Sequence, residues 1–386
     1  MKAARGRILL ASNSAWTIAN FRGGLIRALL AAGYEVVAAA HPDEHVARIE
    51  AWGIRYVPVR MDLKGTNPFR DLALFLRFVR LLRRERPAVF LSYTVKPNVY
   101  GGVAARMLGI PAINNIAGLG TAFVNDTWLT RVVERLYRVG LARARKVFFQ
   151  NEDDRRLFLE RGLVSPAVAE RIPGSGVDTA WFAPEAASPP PENETIAGAA
   201  APRPLRFLLS VRLMRDKGVG EFIAAARTLK AEGAPAEFLF LGFLDVENRT
   251  AIPRAEVEAW VREGVVRYLG AVEDVRPVLA QADCVVLPSY REGVPRSLLE
   301  AASMAKPVIT TDAPGCRDVV DDGATGFLCR PRDAVDLARQ MRRMIALSAE
   351  ERAQMGRAGR AKMLREFDER IVIGRYLKAI GEILKA

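Results

Sequence analysis

An alternation that runs through this chain twice constrains its fold more than any other feature: apolar runs of strand length separated by segments whose apolar residues recur at helical spacing. Strand-like runs at Arg7–Ser12, Glu35–Ala40 and Arg55–Val59 enclose helix-period segments at about Phe21–Ala32 and His45–Trp52. A helix over Pro68–Arg86, a strand over Ala88–Ser92, a helix over Asn98–Leu108, a strand over Pro111–Ile116 and helices from Trp128 to Ala144 continue the series. Parallel strands crossed over by helices are buried on both faces, so they read as unbroken apolar runs; the pattern predicts an α/β chain with helix-covered parallel sheets.

Around residues 173–204 the periodicity gives way to Pro184, Pro189, Pro190, Pro191, Pro202 and Pro204 among alanines. A linker is expected there, placed at 181–204. The second alternation has strands at Leu205–Val211, Glu237–Leu241, Val265–Tyr268, Asp283–Leu287 and Pro307–Thr311, with three helical segments after Arg332. At 386 residues the chain exceeds one ordinary core. The expected domains are therefore 1–180 and 205–366, both doubly wound and facing a cleft, with a last helix at about 367–386 packing back on the first. Ligands of such sheets bind outside the carboxyl ends of the strands.

The net charge of +13 falls almost entirely in residues 1–187. That field suits a phosphorylated substrate, an anionic membrane face or nucleic acid. No RNP, KH, zinc-finger or helix-turn-helix pattern accompanies it, so nucleic acid is not an expected partner. Cys284, Cys316 and Cys329 have no CxxC spacing, which argues against a zinc site or a disulfide framework and fits a reducing compartment. The apolar run near the N-terminus is too short for a signal peptide, and the uncharged stretch Met107–Asn125 carries Pro111, Asn114 and Asn115. A cytoplasmic location is expected. In Phe69–Arg86, Arg70, Arg77, Arg80 and Arg84 share one quarter of the helical wheel, while Leu72, Phe75, Leu76, Val79 and Leu82 offer a core-facing or lipid-facing surface. The plain alternative is a surface helix with solvated arginines.

Two strand-to-helix junctions carry the chemistry. Leu208-Leu-Ser-Val-Arg-Leu-Met-Arg-Asp-Lys-Gly218 places Arg212 and Lys217 beside a helix N-terminus, where free amides, the helix dipole and two cations can neutralise a diphosphate leaving group. A solvated loop of Arg212, Arg215 and Lys217 is the competing reading. Pro288-Ser-Tyr-Arg-Glu-Gly-Val-Pro-Arg-Ser-Leu-Leu-Glu300 sets Glu292 in a turn and Glu300 on a helix, and a carboxylate suits the vicinal diol of a ribose or hexose. Glu300 is expected to point into the cleft if Leu298, Leu299 and Met304 face the sheet.

These segments, with Arg267-Tyr-Leu-Gly-Ala-Val-Glu-Asp-Val-Arg276 and the glycines Gly315 and Gly326, resemble the donor domain of glycosyltransferase family 4. The resemblance implies a retaining enzyme of the GT-B class, with two Rossmann-like domains, no metal and no cofactor. It implies Arg212, Lys217 and Glu292 as catalytic groups, with Glu292 at the transferred sugar. Donor binding would fall to Glu300 at the ribose, to Gly293, Val294, Pro295 and Arg296 at the sugar or distal phosphate, to Tyr268 and Gly270 near the base, and to Asn13 in the first strand-to-helix loop.

Ser92-Tyr-Thr-Val-Lys-Pro-Asn-Val-Tyr-Gly-Gly-Val-Ala-Ala-Arg106, Asn114-Asn-Ile-Ala-Gly-Leu-Gly-Thr-Ala-Phe123 and Ile172-Pro-Gly-Ser-Gly-Val-Asp178 are similar to bacterial members that extend polyprenyl-diphosphate-linked oligosaccharides. By that resemblance Lys96, Asn98, Asn115, Gly118 and Thr121 line the acceptor side. The partners implied are a nucleotide-sugar donor, UDP favoured over GDP-mannose, a polyprenyl-diphosphate-linked saccharide, and the anionic inner face of a membrane. One departure stands out. Many members carry an N-domain histidine facing the transferred sugar, yet His41 and His45 follow the second strand and the comparable stretch holds Asn114 and Asn115. A front-face mechanism tolerates this, because the departing phosphate oxygen can take the acceptor proton. A sugar-nucleotide epimerase of the same architecture is the alternative. Asp153-Asp154 reads as a helix start capped by Asn151, not as a metal site.

Overall fold

The computed structural model describes residues 5–62, 67–119, 128–186, 203–244, 248 and 250–385. They form two units: Met1–Ser175 with Glu369–Ala386, and Gly176–Asp368. The chain crosses at Ser175/Gly176 and again at Asp368/Glu369, and the crossing strands are tied together by the Val177 amide on the Phe367 carbonyl (2.9 Å) and by the Thr179 hydroxyl on Asp368 (2.5 Å).

In the first unit the elements run β1 (Arg7–Ser14), α1 (Ala15–Phe21), α2 (Gly23–Ala31), β2 (Glu35–His41), α3 (Val46–Glu50), β3 (Arg55–Pro58), α4 (Pro68–Glu85), β4 (Val89–Tyr93), a π-turn at Pro97–Gly101 leading into α5 (Gly102–Met107), β5 (Ala112–Ile116), α6 (Trp128–Leu141), β6 (Lys146–Phe149), α7 (Glu152–Glu160) and β7 (Ala169–Arg171). The strands form one parallel sheet in the order β3-β2-β1-β4-β5-β6-β7.

The helix expected at about Phe21–Ala32 is α2, and a further short helix, α1, precedes it. The Ser14 hydroxyl accepts the Thr17 amide and starts α1 early, and Arg22 leaves helical geometry (φ −124°, ψ 0°) before α2 opens on Gly23 and Gly24. Gly24 has a packing reason: a Cβ there would come within 2.5 Å of the Glu369 carboxylate. In α4, Asn67 caps the N-terminus, Pro68 opens the first turn and Arg86 ends the helix in the left-handed region. Its core stripe also differs from expectation. Leu74, Phe78, Leu81 and Leu82, at i, i+4, i+7 and i+8, take the buried face, Phe75 and Val79 pack partly against the same core, and Phe69, Leu72 and Leu76 are exposed.

The second unit continues with β8 (Leu205–Ser210), α8 (Val219–Ala231), β9 (Ala236–Leu241), α9 (Arg254–Arg262), β10 (Arg267–Tyr268), α10 (Arg276–Gln281), β11 (Cys284–Leu287), α11 (Arg296–Ser303), β12 (Val308–Thr311), β13 (Gly326–Cys329), α12 (Ala334–Ala346) and α13 (Ala349–Lys362). Its parallel sheet has the order β10-β9-β8-β11-β12-β13. Phe207, Phe222, Phe238 and Phe240 stack between sheet and helix with little or no exposure. Removing one such ring costs about 3–5 kcal/mol.

Residues 176–186, expected with the first domain and the linker, pack here: Phe182 is buried in this core and Arg276 stacks on Trp181 at 3.5 Å. The rest of the expected linker lies outside the described residues. Finally α14 (Glu369–Lys385) returns to the first unit and buries Val372, Tyr376, Ala379 and Ile380 in its core. Each sheet reverses its winding at one place, between β1 and β4 in the first unit and between β8 and β11 in the second. Crevices at such switch points are where doubly wound sheets bind ligands.

Candidate functional site

The two sequence segments with chemical promise leave the carboxyl ends of β8 and β11, the strands that flank the second unit's switch point. Their loops are stitched to each other. Gly218 adopts φ 74°, and a Cβ on it would lie 2.0 Å from the Pro288 carbonyl oxygen. The Tyr290 amide donates to the Asp216 carbonyl at 3.0 Å, and the Ser289 hydroxyl lies 3.2 Å from the same oxygen and 2.8 Å from Glu292 Oε1. Lys217 Nζ reaches Glu292 Oε1 at 2.5 Å, with both side chains mostly withdrawn from solvent.

The three cations of the first loop therefore part company. Arg215 pairs with Glu256 on α9 at 2.8 Å, and Arg212 is exposed with no hydrogen bond or ion pair among the described residues. Lys217 alone of the three is drawn under the second loop, where lower effective dielectric strengthens its field.

The second loop is braced from behind. Gly315 has φ 79°, and a Cβ there would fall 2.3 Å from the carbonyl oxygens of both Glu292 and Gly293. The Glu292 amide donates to Pro314 O at 3.0 Å, and the Thr311 hydroxyl donates to Ser289 O. Thr311 ends β12, Pro314 and Gly315 follow it, and the three hold the Gly293-Val294-Pro295 turn in place. The helix after it, α11, starts at Arg296 with no side-chain cap, the kind of terminus that attracts anions.

Leu298, Leu299 and Met304 are buried, as the helical phase required, and Glu300 sits one turn from Arg296, which it holds at 2.8 Å. Burial raises the Glu300 carboxyl above its ordinary 4.5, against the pull of Arg296. Tyr268 ends β10, and its hydroxyl is committed to the Gly242 carbonyl at 2.7 Å while the Gly242 amide donates to Gly270 O at 2.8 Å. Gly270 (φ 79°) has no atom within 4 Å of where a Cβ would stand, so backbone and not the Tyr268 hydroxyl is what this segment can offer a ligand.

In the first unit the expected acceptor residues divide. Asn98 and Asn115 are fully buried, and their amides serve the fold: Asn98 Nδ2 donates to Asn115 O (2.8 Å), Ser92 Oγ to Asn98 Oδ1 (2.7 Å) and Asn115 Nδ2 to the Tyr376 hydroxyl (2.9 Å). Neither side chain reaches a surface, which corrects their expected role. The same network holds Asn114, whose Nδ2 donates to Ser92 Oγ at 2.7 Å while its Oδ1 is buried without a hydrogen-bond partner. Lys96 is ion-paired with Asp71 at 2.6 Å. Gly118 follows β5 with φ 107°, and Thr121 lies outside the described residues. Asn13, at the end of β1, accepts the Thr17 hydroxyl at 2.9 Å and so supports α1. Asn151 caps α7 by accepting the Asp154 amide at 2.8 Å.

Sequence reasoning did not single out Ser289, Thr311 or Pro314 as site residues. The local signal was thin, since Ser289 reaches the Asp216 carbonyl of the other loop, and Thr311 and Pro314 reach back to Ser289 and Glu292 in the loop before their own strand.

Two doubly wound units, one with a cation–carboxylate pair at its switch point, make the architecture of the GT-B class, and comparison with known proteins identifies the activity class as glycosyl transfer. The family described as "Glycosyl transferases group 1" matches residues 205–346, and "Glycosyl transferase 4-like domain" matches residues 17–175. The chain belongs to these glycosyltransferases.

It is 27% identical, over 98% of its length and 99% of the relative's, to the N,N'-diacetylbacillosaminyl-diphospho-undecaprenol alpha-1,3-N-acetylgalactosaminyltransferase of Campylobacter jejuni. It is 25% identical, over 70% of its length and 69% of the relative's, to the Escherichia coli UDP-Gal:alpha-D-GlcNAc-diphosphoundecaprenol alpha-1,3-galactosyltransferase. Among solved structures, a Rickettsia africae glycosyltransferase superposes with a TM-score of 0.78 at 18% identity over the whole of both chains. Anabaena HepE in complex with UDP gives 0.75 at 19% identity, over 97% of this chain and 100% of HepE.

Proposed function

We propose that this chain transfers a sugar, with retention of configuration, from a nucleotide-diphosphate donor to a polyprenyl-diphosphate-linked saccharide, with UDP and an N-acetylhexosamine as the favoured donor parts. The observation that carries the reading is the Lys217–Glu292 contact between the two loops at the β8/β11 switch point. In this mechanism the glycosyl C–O bond breaks with its electron pair going to the phosphate oxygen, and Lys217 and Arg212 balance the charge that grows there. The acceptor hydroxyl attacks from the same face and passes its proton to that oxygen. Glu292 holds the sugar and Glu300 the ribose diol. The full-length likeness to the Campylobacter jejuni transferase supports the acceptor class.

The test is release of nucleotide diphosphate by the purified chain. We expect it only when UDP-N-acetylhexosamine and a lipid-linked saccharide are both present, and undiminished in EDTA. Scrambling of the donor sugar without acceptor would instead establish an epimerase, and turnover with GDP-mannose alone would move the donor assignment.

Glu300 gives this reading a pH signature. Its carboxyl is raised by burial, so the charged form that accepts two ribose hydroxyls is lost as pH falls through a value above 4.5. The donor KM of the parent is expected to rise on that acid limb. Glu300→Gln should raise KM at neutral pH by about tenfold, the loss of roughly 1.4 kcal/mol of charge-assisted bonding, and flatten the limb. A limb that persists unchanged in the variant assigns it to another group.

The same reading puts the chain on the anionic inner face of a membrane. No helix among the described residues is long and apolar enough to cross one. The support is α4, where exposed Phe69, Leu72 and Leu76 run beside exposed Arg70, Arg77, Arg80, Arg83 and Arg84. Replacing Arg80 and Arg83 with Gln should weaken binding to phosphatidylglycerol vesicles by roughly thirtyfold at low salt, at about 1 kcal/mol per cation. Equal co-sedimentation of parent and variant would remove α4 from the membrane face.

A further inference from the structure

A second side-chain tie links the Lys217 segment to the Glu292 loop, beyond the pair itself. The Tyr290 hydroxyl donates to Glu221 Oε1 at 2.6 Å, the length of a charge-assisted O–H···O bond. Glu221 stands in the first turn of α8, four residues after Lys217, and Tyr290 stands two residues before Glu292. Backbone and side chain of Tyr290 therefore both reach the Lys217 segment, since its amide bonds the Asp216 carbonyl at 3.0 Å. Asp216 is itself held: its Oδ1 accepts the Thr250 hydroxyl at 2.8 Å, and the Arg215 amide bonds the Thr250 carbonyl at 2.7 Å. Thr311 and Pro314 anchor the second loop to the end of β12, and Tyr290 adds the anchor to α8.

Stability alone gives little reason for this arrangement. Glu221 has no cation partner among the described residues, and its Oε2 is enclosed without a hydrogen bond. The dipole of α8 favours an acid in its first turn, yet an unsatisfied carboxylate oxygen is costly to enclose. The Arg332 guanidinium lies over the Tyr290 ring, 4.7 Å from its centre. Arg332 follows the carboxyl end of β13 and is held at φ 59°, a left-handed conformation of the strained kind that gathers at functional sites. Burial, and then the Glu221 carboxylate, raise the Tyr290 hydroxyl above its ordinary 10, so it stays protonated and donates.

We propose that Tyr290 is a positioning residue of the transfer step: through its bond to Glu221 it fixes the spacing between the loop that carries Lys217 and the loop that carries Glu292. It touches neither donor nor acceptor and acts through that pair. This deepens the transferase reading and rests on it, since there Lys217 meets the departing phosphate and Glu292 the sugar. Catalytic groups displaced by a fraction of an ångström lose much of their effect, so a tether on the loop is felt in the rate.

The test compares Tyr290→Phe with wild type in single-turnover transfer and in UDP binding by calorimetry, and repeats the substitution in a Lys217→Ala background. Phenylalanine keeps the ring under Arg332 and removes only the hydroxyl. The transfer rate is expected to fall roughly tenfold while UDP affinity stays within about twofold, a split that a general loosening of the fold would not give. In the Lys217→Ala chain the same change is expected to cost less than about twofold, because its effect passes through the lysine. A rate within about twofold of wild type overturns the proposal. So do losses that multiply in the double variant, or a rate loss matched by an equal loss of UDP affinity. Should Tyr290→Phe not fold, Glu221→Ala decides in its place, because it cuts the same bond from the other end; a tenfold loss that vanishes in the Lys217→Ala background upholds the tether, and an unchanged rate removes it. Normal rates in both variants, beside loss of transfer in Lys217→Ala, would discard Tyr290 and leave the transferase reading intact. A wild-type chain without transfer would end that reading, and the positioning role with it.

Discussion

Lys217→Ala is expected to lower kcat by about 10²–10³-fold, the usual cost of deleting one preorganised group that meets charge developing in a transition state. The geometry supports the upper part of that range. Lys217 Nζ is fixed at 2.5 Å from Glu292 in a largely enclosed position, so no solvent reorganisation is needed when charge grows on a nearby phosphate. Deleting the lysine also takes a counter-charge away from the partly buried Glu292 carboxylate, which keeps the Ser289 hydroxyl at 2.8 Å. Stability and catalysis can then be separated by a second substitution. The double variant Lys217→Met/Glu292→Gln removes both charges, so it should melt closer to the parent than Lys217→Ala does while staying inactive. Melting curves and single-turnover rates on the three proteins check this. Activity within threefold of the parent in Lys217→Ala would take the lysine out of the reaction.

Gly218→Ala is the second large effect expected, and it reaches the site through the backbone. The residue sits at φ 74°, where an L side chain is strained, and the added methyl would stand 2.0 Å from the Pro288 carbonyl. Left-handed geometry costs about 1 kcal/mol or more, and forced overpacking about 1–3 kcal/mol. The sum is a loss of roughly 2–4 kcal/mol, visible as a lower denaturant midpoint. The clash pushes the Lys217 loop away from the Ser289–Glu292 loop, so activity should fall at least as far as in Lys217→Ala. Gly220, two residues along in α8, has nothing within 4 Å of its Cβ position and serves as the control. Gly220→Ala should leave stability and activity near those of the parent. A Gly218→Ala chain that keeps both would mean that the two loops need not touch.

The architecture was legible from the amino-acid order because parallel strands buried on both faces leave local signatures. Most strands begin and end within two residues of the apolar runs, from Arg7–Ser14 to Val308–Thr311. The strands Lys146–Phe149, Ala169–Arg171 and Gly326–Cys329 were not anticipated, since they are recognised by the neighbour they pair with. The two junctions that carry the site could also be named, because Gly218, the Gly293-Val294-Pro295 turn and the helices that follow are local features.

Which charges matter was decided only in three dimensions. In sequence Arg212, Arg215 and Lys217 are equivalent cations of one loop; folding gives Arg215 to Glu256, leaves Arg212 at the surface and brings Lys217 to a carboxylate 75 residues away. Asn98 and Asn115 look like ligand groups until the sheet closes over them. The physical reason is range. Periodicity, caps and turn glycines are set by neighbours a few residues away, whereas desolvation and ion pairing depend on groups that crossover connections bring from distant parts of the chain.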